Sequence, residues 1–208
     1  MPLRPRLIGP LVVLALTAAL PATAAVTAWT TVAIRVYDGT GLPGATRAAA
    51  LAHTAAVLAH AAIEPAWRLC GVTDQPAAPE CGRPLGSGEL AVRVVRGSVP
   101  AGAGRLPLGD APVDLRAGRA VLATIYLERV LWLARAAATD PRALLGRAIA
   151  HEIGHLLMAT AAHAVSGLMR PSWTREDLRR DRPGDWDFRP EEVARIASRR
   201  TSVAATDR

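Results

Sequence analysis

Apolar and polar positions first alternate at residues 30–37, where Thr30-Thr31-Val32-Ala33-Ile34-Arg35-Val36-Tyr37 is rich in β-branched residues and stops at Asp38-Gly39. The pattern predicts a strand closed by a turn. Residues 45–63 are almost entirely Ala, Leu, Val and His, without Pro or Gly, which predicts a helix buried over much of its surface. Residues 63–69 read as a short edge strand, because Pro65 cannot serve a sheet centre. Further strands are expected at 90–96 and 119–126, the latter leading into a helix at 127–137. Thr139-Asp140-Pro141 supplies an N-cap and a first-turn proline for a helix over 141–158. A last helix starts near Pro190, with Glu191 and Glu192 in its first turn and Arg199 and Arg200 in its last, matching the dipole at both ends. Between the strands, residues 97–118 form a Gly- and Pro-rich irregular connection, and connections of that length inside a domain are often functional. No internal repeat is visible. The elements add up to one α+β domain over residues 25–200: a small twisted sheet, a backing helix and a helix carrying the candidate site. Residues 201–208 are expected to be a flexible tail.

The N-terminal segment has a different logic. Residues 1–6 carry Arg4 and Arg6, residues 7–20 are apolar apart from Gly9, Pro10 and Thr17, and Pro21-Ala22-Thr23-Ala24-Ala25 follows with small residues. This is the three-part layout of a secretory signal over residues 1–24, with cleavage after Ala24 or Ala25. The apolar run is shorter than the roughly 20 residues that a membrane-crossing helix needs, so an uncleaved anchor is the lesser reading. The mature chain is expected to be extracytoplasmic, monomeric and without a stable membrane span. Export also makes the cysteine count meaningful. Cys70 and Cys81, the chain's two cysteines, read as a disulfide closing a short loop in an oxidising compartment.

Composition then changes little. All 25 basic residues are arginine and the formal charge is +7, which invites a nucleic-acid reading. The arginines are scattered and interleaved with acids, as in Arg175-Glu176-Asp177-Leu178-Arg179-Arg180-Asp181, and no nucleic-acid-binding motif accompanies them. No nucleic-acid partner is expected.

The chemistry concentrates in His151-Glu152-Ile153-Gly154-His155, inside the 141–158 helix. Residues four apart share a helix face, so two imidazoles can converge on one ion, while Glu152 can reach a metal-held water without binding the metal. Zinc would lower the pKa of that water, Glu152 would take its proton, and the hydroxide would attack a polarised carbonyl. A catalytic zinc needs a third ligand. His163 is the favoured candidate, and Glu176 and Asp177 are rivals. Reaching the ion from His163 requires the chain to leave the helix and turn within Thr160-Ala161-Ala162, where no glycine eases the turn. Tyr126 ends a strand and could stabilise an oxyanion, although a packed strand tyrosine is the commoner case. His53 and His60 share a helix face, lack a partner carboxylate or third ligand in the sequence pattern, and read as solvated or packing. Trp132 reads as core.

The stretch from His151 to Arg170 resembles a family of exported bacterial proteins regarded as zinc metallopeptidases related to metzincins. The likeness lies in the zinc helix, a third histidine in a short following loop, and a turn of the form Gly167-Leu168-Met169-Arg170 before Trp173. It extends to the Val36-Tyr37 strand, Trp67 ahead of Cys70 and Phe188 ahead of the last helix, and spans most of residues 30–200. The resemblance implies a metzincin-like, zincin-like fold and makes Met169 the methionine of a Met-turn beneath the metal. It departs from the metzincin pattern HExxHxxGxxH, whose glycine and third histidine positions hold Met158 and Ala161 here.

The expectation is therefore an exported peptidase that binds one Zn2+ per chain through His151, His155 and His163. It would cleave a peptide or protein lying along the sheet edge, with Glu152 as general base. Two other readings stand beside it: a zinc-stabilised binding module without turnover, and a zinc amidase acting on a cell-wall polymer.

Overall fold

The computed structural model describes residues 30–206, positions 73 and 183 excepted. The expected signal segment lies outside the described residues. Among them, no helix is long and apolar enough to cross a membrane.

Five strands form one sheet in the order β2-β1-β3-β5-β4: β1 is Thr30–Asp38, β2 Ile63–Cys70, β3 Leu90–Val95, β4 Gly109–Asp110 and β5 Leu122–Tyr126. The first four of these in spatial order pair in parallel, and β4 runs antiparallel on the far edge. β2 occupies the other edge, where Pro65 and its missing N–H are tolerated. One face of the sheet is apolar: Ile34 and Val36 of β1, Val92 and Val94 of β3, and Ala123 and Ile125 of β5 are all buried. They join a single core with Leu51 and Leu58 of α1 (Gly44–Ala59) and Leu144, Ile149 and Ile153 of α3 (Pro141–Met158). The α+β expectation holds, with α1 as the backing helix and α3 as the site helix.

On the opposite face, Arg35 is buried because residues 83–89 fold over it: its guanidinium donates to the carbonyls of Arg83 (2.5 Å) and Pro84 (3.0 Å) and pairs with Glu89. α2 (Leu127–Ala137) follows β5 without a break and packs on α3. The disulfide joins Cys70, at the end of β2, to Cys81, with their Cα atoms 5.6 Å apart.

The structure departs from the sequence reading in several places. α1 stops at Ala59, and Ala62 in the left-handed region (φ 54°) turns the chain into β2. β4 lies inside the segment read as irregular. A short helix, α4 (Arg175–Arg180), occupies the mixed-charge run, held by a reciprocal cap between Thr174 and Asp177. α5 (Pro190–Thr206) runs beyond Arg199 and Arg200, which the sequence places in its last turn.

Candidate metal centre

α3 begins where Asp140 accepts a hydrogen bond from the Arg142 amide (2.9 Å), with Pro141 at the first helical position. It is buried nearly all round, which explains two glycines that would otherwise weaken a helix. A Cβ at Gly146 would fall 2.6 Å from the Ala50 carbonyl of α1, and one at Gly154 would fall 2.7 Å from both Met169 Sδ and Phe188 Cε1. Each glycine thus permits a close approach, the first to the backing helix and the second to the residues beneath the site.

His151 and His155 are both buried and share one face of α3, their Nε2 atoms 3.1 Å apart. Each ring is oriented through its other nitrogen. His151 Nδ1 lies 2.8 Å from the Leu168 carbonyl, and His155 Nδ1 lies 2.7 Å from the Thr160 carbonyl. A carbonyl only accepts, so each Nδ1 carries the proton and each Nε2 presents a lone pair. Two lone pairs facing each other at 3.1 Å repel unless a cation lies between them. A tetrahedral ion with bonds of about 2.0–2.1 Å to nitrogen would set its ligand atoms roughly 3.3 Å apart, so the donor set fits zinc. Carbonyl acceptors on the outer nitrogens are the usual second tier of such sites.

His163 completes the cluster. Potential ligand atoms of His151, His155 and His163 all lie within 4.8 Å of one another. Burial holds His151 down at about 3, and it also lowers His155 and His163, so all three are neutral at pH 7, the form that binds metal. The chain returns to bring His163 in by ending α3 at Met158, after which Ala159 takes the left-handed conformation (φ 42°) that the turn requires. The rivals lie elsewhere. Asp177 caps α4 and pairs with Arg170 and Arg180, and Glu176 is exposed beside Arg180.

The Gly167-Leu168-Met169 turn runs under the helix. Gly167 has a positive φ (77°), Leu168 supplies the carbonyl that fixes His151, and Met169 is fully buried against Gly154. Trp173 meets His151 edge-on, ring centres 5.6 Å apart, and Trp186 packs edge-on against Trp173.

Glu152 is buried beside the cluster. Burial, reinforced by the nearby Asp110 carboxylate, pushes it up to about 8, a direction suited to a group that takes and returns a proton near neutrality. The three histidines and Glu152 line a cleft of about 280 Å³, whose other walls are the 106–111 segment with β4, Leu133 of α2, and Pro171, Ser172 and Trp173. Tyr126 is not part of this lining. Its hydroxyl donates to Asp110 (2.7 Å), which leaves it holding β4 to β5 rather than facing a developing oxyanion. His60 does have a carboxylate partner, Asp187 at 2.5 Å, supplied by a loop 127 positions along the chain and so invisible to a local pattern. Trp132 packs against the core as expected.

The segment that sequence reasoning underused is 106–111. Its Gly- and Pro-rich length signalled function, but no motif tied it to the histidines.

No family model matches the chain, and no curated protein matches it. Among solved structures, archaemetzincin from Methanopyrus kandleri is similar, with 13% identity and a TM-score of 0.47 over 83% of this chain and 96% of that one.

Proposed function

We propose that the chain is a zinc-dependent peptidase that acts outside the cytoplasm, with His151, His155 and His163 as the ligands of one ion and Glu152 as the general base. The observation that carries this reading is the pair of inward-facing Nε2 lone pairs, each fixed by a proton donated outward to a carbonyl. Zinc, when bound, supplies Lewis acidity that makes a water acidic near neutral pH and polarises a carbonyl.

The chain's own residues do the rest. The Leu168 and Thr160 carbonyls hold two imidazoles in the tautomer that presents Nε2. Glu152, at the cleft wall, takes a proton from the attacking water and returns it to the leaving amine. β4 offers an unpaired edge along which a peptide main chain can lie. Burial of Glu152 and of two of the three histidines keeps bulk water from competing.

Zinc analysis of the purified mature domain tests the metal half. One zinc per chain, with clear loss in His163→Ala, is expected; a metal-free wild type after reconstitution would overturn it. Turnover tests the other half: Glu152→Gln should keep zinc and lose hydrolysis. A zinc-loaded wild type without turnover on peptide or cell-wall substrates would leave the binding-module reading.

A further inference from the structure

Glu152 has an unusual setting for a buried carboxylate. Among the described residues it has no hydrogen-bond or ion-pair partner, although it is almost wholly shielded from solvent. Its neighbour His151 differs in this respect, since that ring is tied to the Leu168 carbonyl, whereas the helix backbone fixes only the Cα of residue 152. What confines the side chain is therefore packing.

Part of that packing surface is Gly109. In β4, Gly109 pairs with Ile125 of β5, and Ile125 belongs to the sheet face that meets α3. A Cβ at position 109 would fall 2.8 Å from both Cγ and Oε1 of Glu152, and 2.6 Å from the Thr124 backbone carbonyl. Ordinary carbon contacts lie at about 3.5–4.0 Å, so a methyl group has no room there. The carbonyl belongs to an inner strand and cannot yield, which leaves the Glu152 side chain or β4 itself to move.

We infer that Gly109 is a positioning residue: its bare backbone forms the wall that holds the Glu152 carboxylate in register with the three-histidine cluster. The inference rests on the zinc-peptidase reading for its catalytic consequence, but its steric core does not. Gly109 touches none of the histidines' outer hydrogen bonds, so the metal ligands are independent of it. The edge strand that would receive a peptide and the side chain that would accept the proton are thereby locked together at one residue.

The test combines stability with kinetics on the zinc-loaded mature protein. Gly109→Ala should lower Tm, retain zinc, and reduce kcat at least tenfold with KM within about threefold, because a misplaced base loses rate more than binding. Adding Gly109→Ala to Glu152→Gln should cost no further rate, since residues acting through one another are non-additive. Glu152→Ala removes both Cγ and Oε1. In that background Gly109→Ala should therefore cost clearly less Tm than in wild type, leaving only the clash with the Thr124 carbonyl, a readout that needs no substrate and also decides the matter if the single variant fails to fold. An unchanged kcat in Gly109→Ala, a rise confined to KM, or an equal Tm loss with and without the Glu152 side chain would each overturn the inference. A wild type that holds zinc without hydrolysing anything would instead sink the peptidase reading while leaving the Tm comparison to judge the wall.

Discussion

At the residue scale, this chain repeatedly places alanine where glycine is favoured. Ala62, Ala138 and Ala159 all sit at positive φ, and the last two end α2 and α3. A left-handed L-residue costs about 1–2 kcal/mol, of which glycine's greater freedom in the unfolded chain returns about half. Ala138 is exposed and has nothing to lose in packing. Ala138→Gly should therefore stabilise the protein by about 0.5–1 kcal/mol, a rise in Tm of about 1–4 °C for a domain of this size. No rise, or a fall, would show that the αL position carries no strain. Ala159 is a different matter, because its turn delivers His163 to the cluster and its methyl is buried. The glycines are placed by the opposite logic: Gly109, Gly146 and Gly154 stand where a neighbour leaves no space for a Cβ.

At the scale of elements, what was legible depended on how local its cause was. α3, its cap and the pairing of His151 with His155 on one face could be read because capping and a spacing of four on a helix are local facts. β1, β3 and the edge role of β2 followed from β-branching and from Pro65. The extent of β4 could not be read, because two residues carry no alternation; it exists only through its pairing with β5 and the Tyr126–Asp110 bond. α4 was hidden by its charge, although Thr174 and Asp177 spell a capping box. The sequence favours His163 over Asp177 as third ligand, and in the structure the Asp177 carboxylate is committed to that same cap and to Arg170.

The disulfide belongs to this scale as well. It closes the loop that carries Asp74, whose carboxylate grips Arg47 of α1 with two hydrogen bonds of 2.5 and 2.7 Å. Cutting the loop with Cys70→Ser and Cys81→Ser should cost about 2–3 kcal/mol in the chain-entropy model. Zinc content should not change, because the loop and the metal centre share no residues. Denaturant unfolding and metal analysis of the double variant check both statements, and a loss of zinc would show that the α1–β2 end of the sheet supports the centre after all.

At the scale of the whole molecule, stability against acid should be set by the carboxylates that the fold holds below their ordinary range rather than by the net charge of +7. Asp38, at the end of β1, is the clearest. Burial opposes its ionisation, but hydrogen bonds from the Thr40 hydroxyl and amide and the Leu42 amide, together with the Arg47 charge, outweigh it and hold the carboxyl below its ordinary range. A carboxyl depressed in the folded state binds its proton more readily in the unfolded chain. Its contribution is therefore complete above the unfolded value of about 3.9 and drains away as pH falls through the lower folded value. Asp38→Asn keeps the shape but loses the ionised acceptor. The variant should be less stable than wild type from pH 7 down to about pH 5, and the gap should close progressively below about pH 4. Urea unfolding of both proteins across that range measures it directly. A gap that stays constant to pH 2.5 would mean that packing around residue 38, and not its charge, ties the strand end to α1; a gap that closes would identify the ionised Asp38 carboxylate, through its pairing with Arg47, as a tie between the sheet and its backing helix that acid releases.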